Sequence, residues 1–115
     1  MIHWQQLPPP SPPFYASVFN YELSEFLEGY QTYDAWTLER VKTYQGFLGY
    51  EVLKQDRRGS FISYWKDLES IQLWAQDPIH IKAKALGINQ WYKSYHSAIT
   101  KIIRFKEFTN DSGNN

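Results

Sequence analysis

The pattern of apolar and polar positions changes period several times along the chain, and each change marks an element. Phe14 to Tyr21 is aromatic and β-branched and lies between prolines and Ser24, which predicts a strand. From Ser24, a residue type suited to capping, the stretch to about Thr43 sets Phe26, Tyr30, Tyr33 and Thr37 on one stripe, with Leu27, Leu38 and Val41 beside it. That spacing predicts an amphipathic helix of about twenty residues. Gly46 and Gly49 then open an apolar run through Leu53, and Asp56-Arg57-Arg58-Gly59 supplies turn chemistry ahead of Ser60 to Trp65, so the pair reads as a β-hairpin. Asp67 is placed to cap a short helix on which Leu68, Ile71 and Trp74 recur at three-residue spacing. Asp77-Pro78 starts another, because proline fits the first helical position and aspartate caps it. Gly87 and Asn89 are expected to interrupt that helix before Trp91 to Tyr95, and a last strand is expected over His96 to Phe108, with Lys and Arg interspersed as on a protected edge.

The order is β-α-β-β-α-β. It predicts an α+β, ferredoxin-like subunit: a four-stranded antiparallel sheet with its helices on one face. Such a sheet leaves its other face bare, and for so aromatic a chain a second copy packed sheet against sheet is the simplest cover, so a twofold homodimer is expected. Five of the six prolines fall within Pro8 to Pro13, where they favour an extended arm. The expected organisation is therefore an arm over 1–13, one folded domain over 14–108 and a polar tail over 109–115 that frays.

Composition narrows the function. A chain of 115 residues holds one domain of ordinary size. Aromatic residues make up 18%, including 5 Trp and 9 Tyr, a surplus that suits a lined pocket or a subunit interface as well as core filling. The 12 basic and 12 acidic side chains cancel, so the field that phosphate-backbone binding draws on is missing and no nucleic-acid partner is expected. Without cysteine there are no disulfides, thiolate metal sites or Cys nucleophiles. Met1 to Gln6 lacks the features of a secretory signal, and no apolar run approaches the ~20 residues that cross a bilayer, so a cytoplasmic protein without a membrane partner is expected.

The inventory of reactive groups is short. His3, His80 and His96 match no metal-ligand spacing, and no metal site is expected. Gly46-Phe47-Leu48-Gly49 lacks the length and the lysine of a phosphate loop, and no serine sits in a nucleophile elbow. Asn20 is a candidate because it lies two residues after Val18, on the same face of an apolar strand, where its amide either binds an oxygen function of a ligand or caps the strand end. Trp65 and Trp74 straddle a strand-to-helix junction, where indoles wall a pocket or fill the core. His80 falls in the first turn of the helix opened by Pro78, where the positive helix end disfavours imidazolium and leaves a neutral ring able to act as base.

The blocks Gly46-Phe47-Leu48-Gly49-Tyr50-Glu51 and Ser63-Tyr64-Trp65-Lys66-Asp67-Leu68-Glu69-Ser70-Ile71, followed by Trp74, His80, Gly87, Trp91-Tyr92 and Tyr95, resemble the antibiotic biosynthesis monooxygenase family. The resemblance spans Phe14 to Phe108, with Gln45-Gly46-Phe47 where Pro-Gly-Phe is more usual. It implies two ferredoxin-like subunits joined sheet to sheet into a dimeric α+β barrel, with a ligand cavity between each sheet and its helices. Its members include cofactor-independent oxygenases of polycyclic phenols such as anthrones, and haem-degrading enzymes. For the haem branch, Asn20 and Trp74 fall where an Asn and a Trp belong, but Lys84 stands where the iron-binding His would be, with His80 one turn earlier. A protonated lysine is a poor iron ligand, so the resemblance points to the branch without a cofactor. For a site without metal or flavin, an electron-rich phenol needs only an apolar cavity, a proton acceptor and donors, so Asn20 and Tyr95 are expected to hold the oxygens of a small aromatic substrate, Trp65, Trp74 and Trp91 to wall its rings and His80 to assist proton transfer. A dimeric module that binds such a ligand without turning it over is the alternative, and a haem-binding or haem-degrading protein, disfavoured by Lys84, is the second.

Overall fold

The computed structural model describes residues 1–110; residues 111–115, and with them most of the tail expected over 109–115, lie outside the described residues. Its strands are β1 (His3–Trp4), β2 (Phe14–Leu23), β3 (Phe47–Gln55), β4 (Arg58–Trp65) and β5 (Tyr92–Ile102). The helices are α1 (Tyr30–Val41), α2 (Leu68–Ala75) and α3 (Pro78–Leu86), the last running into a π-helical turn over Gly87–Trp91. One antiparallel sheet has the order β1-β3-β4-β2-β5. The four long strands thus follow the ferredoxin-like arrangement, with the first strand of the motif between the third and the fourth.

The fifth strand is an addition to the expected four. His3 and Trp4 pair with Tyr50 and Gly49, and the Gln5 amide donates to the Leu48 carbonyl at 2.8 Å. The first residues are therefore part of the sheet, and the proline-rich stretch is a crossing that leads from β1 to β2.

Alternation along β2 divides the core in two. Tyr15 shares a face with Trp65 and Phe47, against Val41 of α1 and Ile71 of α2; this is the helical side. Phe14 and Ala16 point the other way and pack with Tyr64, Trp4, Ile62, Ile102 and Phe105. The bare face is thus half covered by the chain's own ends. Trp4 meets Phe14 and Phe105 edge to face, and its indole N–H donates to Glu107 at 2.9 Å.

Local capping chemistry sets α2 and α3 as expected. The Asp67 carboxylate accepts from the Ser70 amide, and Asp77 accepts from the amides of Ile79 and His80. The start of α1 differs. Ser24 does not cap a helix: its hydroxyl accepts from the Phe26 amide and donates to the Gln90 carbonyl, while its own amide donates to the Trp91 carbonyl at 2.7 Å. Residues 24–28 are spent on that junction, and the chain enters the helix only through Gly29, whose φ of 80° suits glycine. The helix is 12 residues long, and Phe26 stays exposed.

The hairpin turns at Asp56-Arg57, so Gly59 lies inside β4 instead of in the turn. The last strand also shifts: the π-helical turn ends at Trp91, β5 begins at Tyr92 and stops at Ile102, and Phe105 folds back onto Phe14.

Candidate functional site

The uncovered half of the open face carries a polar band. Antiparallel pairing aligns Asn20 of β2 with Ser60 of β4 on one side and His96 of β5 on the other, and Ser60 with Leu53 of β3. The next row is Glu22 with Arg58 and Ser94, and Arg58 with Gln55. Together these side chains line an open recess of about 470 Å³.

At its floor Asn20 Nδ2 lies 3.0 Å from His96 Nε2. An amide nitrogen carries only donors, so it donates to the imidazole, and the ring proton is assigned to Nδ1. His96 was not singled out in sequence. The signal that finds it is the strand order: once the first and last long strands pair antiparallel, residue 96 falls opposite residue 20. Glu22, in the outer row, pairs with Lys93 at 3.6 Å.

The other two candidates for chemistry do not join Asn20. Tyr95 borders the recess through its place in β5, but its ring lies on the helical side, 5.3 Å from Phe19 and 6.0 Å from Tyr92. His80 stacks on Trp74 with centroids 4.7 Å apart and planes at 15°, also on the helical side. Its Nδ1 lies 3.1 Å from the Trp74 carbonyl, which only accepts, so Nδ1 is the protonated nitrogen. Burial holds the His80 pKa below the usual imidazole value, and the charge of Lys84 one turn on adds to the lowering. Asn20 and the Trp74–His80 pair thus stand on opposite faces of the sheet, and within this subunit the expected constellation is not assembled.

Nor do three indoles wall one cavity. Trp65 is fully buried with its N–H on Ser63 Oγ at 2.8 Å, and Trp91 is buried with its N–H on the Glu28 carbonyl at 2.8 Å. Both are core. Trp74 is half-buried, edge-on to Tyr44.

A second polar group is built more tightly. Asp77 is buried, and both its oxygens lie within 2.8 Å of Arg40 Nε, while Tyr44 donates its hydroxyl to the same carboxylate. Burial alone would raise this carboxyl's pKa; the bonds from Tyr44, Arg40 and the His80 and Ile79 amides outweigh it and hold the value at about 2. Every acceptor position of Asp77 is taken. Its work is to fasten α1 to α3.

Comparison with known proteins gives a consistent picture. The model of the Monooxygenase af470-like family matches residues 25–108. The uncharacterized protein YqjZ of Bacillus subtilis (strain 168) is 36% identical over 106 residues, covering 89% of this chain and 93% of that one. Among solved structures, SnoaB, a cofactor-independent oxygenase from Streptomyces nogalater, superposes with a TM-score of 0.68 at 12% identity, over 82% of this chain and 97% of that one. An antibiotic biosynthesis monooxygenase does so with 0.68 at 8% identity, over 78% and 99%. Identities this low establish a shared fold.

Proposed function

The chain belongs to the Monooxygenase af470-like family and shares the antibiotic biosynthesis monooxygenase fold, and from that premise we propose that it is a monooxygenase of a small phenolic compound that works without a bound cofactor. The observation that carries the reading is the Asn20–His96 pair at the floor of an open recess.

The two groups have complementary roles. A phenol entering between them gives its proton to His96 Nε2, taking the place of the Asn20 amide, which then donates to the phenolate oxygen. The phenolate is electron-rich and itself reduces O₂: one electron passes to oxygen, and the resulting radicals join in a carbon–oxygen bond. Loss of water from that peroxide leaves one oxygen atom on the carbon, while the other departs with two hydrogens of the substrate. The substrate supplies all the electrons, and no external reductant enters the balance. His80, on the other face, has no part in this assignment.

A homodimer completes the reading. Trp4 and Phe105 cover only the lower half of the open face, and the residues of β5 are exposed over most of its length, so a second copy set face to face would close the recess from water.

Oxygen uptake with a panel of phenols, anthrone included, tests the function. Uptake by the parent, lost in Asn20→Ala and His96→Phe variants that fold, supports it. Uptake at the parent rate in both variants removes the assigned site, and tight binding of a phenol without uptake shows a binding module instead.

A further inference from the structure

The recess is asymmetric in charge. Arg58 lies on the same face as Asn20 and His96, one row further out, directly opposite Glu22. That carboxylate is paired with Lys93 on the β5 side at 3.6 Å. Two of the other arginines have partners: Arg40 holds Asp77, and Arg57 donates to the Ser24 carbonyl at 2.7 Å. Among the described residues the Arg58 side chain has no ion pair and no hydrogen bond, and it lines the recess. With Lys93 and Glu22 offsetting each other, its charge is the one left unbalanced there.

Sheet geometry fixes the span. Two residues along a strand advance about 6.7 Å and neighbouring strands lie about 4.8 Å apart, which sets the backbone of Arg58 about 8 Å from Asn20 and about 12 Å from His96. That interval suits a single aromatic ring with a hydroxyl at one end and an ionised group at the other. The hydroxyl of Ser60 lies beside this interval, on β4 next to Asn20, and the exposed side chain of Leu53 borders the recess one strand further out, on β3.

We propose that Arg58 is the anion anchor of this recess and that the ligand is a small phenolic carboxylate, its carboxylate on the Arg58 guanidinium and its hydroxyl between Asn20 and His96. A guanidinium receives a carboxylate through two parallel hydrogen bonds, which fixes the direction of the ring as well as holding it. The proposal rests on the reading of Asn20 and His96 as the substrate site.

The test compares 4-hydroxybenzoate with its neutral isostere 4-hydroxybenzamide by calorimetric titration of the parent, Arg58→Gln and Asn20→Ala. The carboxylate is expected to bind the parent about tenfold or more tightly than the amide, and that ratio is expected to fall to about one in Arg58→Gln. A ratio near one in the parent, or one preserved in Arg58→Gln, overturns the anchor. If in that case the amide binds the parent but not Asn20→Ala, the phenol site stands and only the anion proposal falls. Binding of neither compound overturns both.

Discussion

Gly59 lies directly beneath the phenol of Tyr21: a Cβ on this glycine would come within 2.2 Å of the ring carbon that bears the hydroxyl, and of the hydroxyl itself. Tyr21 is buried, and its hydroxyl accepts from Tyr30 of α1 at 3.3 Å, so the ring has nowhere to retreat. Gly59→Ala is expected to destabilise the fold by about 1–3 kcal/mol through this overpacking, measured as a lower urea midpoint with an unchanged slope.

His96 and His80 offer a clean separation of the two faces. His96→Phe is expected to abolish most turnover of a phenol while leaving the melting temperature within a few degrees, since His96 is exposed. His80→Phe keeps an aromatic ring on Trp74 and is expected to leave turnover near the parent level. The reverse result would move the chemistry to the helical side.

Asp77 makes stability depend on acid. Its pKa in the fold, about 2, lies below the ordinary 3.8, so its contribution is fully present above about pH 4 and is lost as the pH falls toward 2. Urea melts at pH 7, 4 and 2 are expected to show this loss in the parent and a flatter profile in Asp77→Asn. At pH 7 that variant is expected to be about 1–3 kcal/mol less stable, because Arg40 and Tyr44 lose a charged acceptor.

The contacts that hold the chain's ends on the open face can be weighed against each other. Trp4→Ala removes ring contacts with Phe14, Tyr64 and Phe105 and is expected to cost about 3 kcal/mol. Glu107→Gln weakens only the exposed bond to the indole and is expected to cost under about 0.5 kcal/mol. Equal losses would mean that the hydrogen bond, not ring packing, secures the ends.

Where the chain's signals are local, the sequence alone is enough. Asp67 and Asp77 cap α2 and α3 because an aspartate and the amides two or three residues later need nothing else. The hairpin follows in the same way from Asp56 and its flanking apolar runs. Ser24 has the same capping chemistry, yet its hydroxyl is claimed by Gln90, 66 residues away, a partner no local pattern reveals. The site divides along the same line. Asn20 stands out as an amide in an apolar strand, but His96 is visible only through the register of β2 on β5, and Arg58 only through that of β2 on β4. Trp65 and Trp91 mislead for a related reason: an indole that walls a pocket and one that fills a core look alike until its N–H finds Ser63 or the Glu28 carbonyl.

The meeting of Trp4 with Phe105 and Glu107 sets two segments a hundred residues apart in sequence side by side. A short peptide joining those two segments would leave the sheet order intact, and new termini opened between Asp56 and Arg57 would fall at the exposed tip of the β3–β4 hairpin. A fusion partner attached there would project from the end of the sheet that holds the recess, away from the half of the face that Trp4 covers.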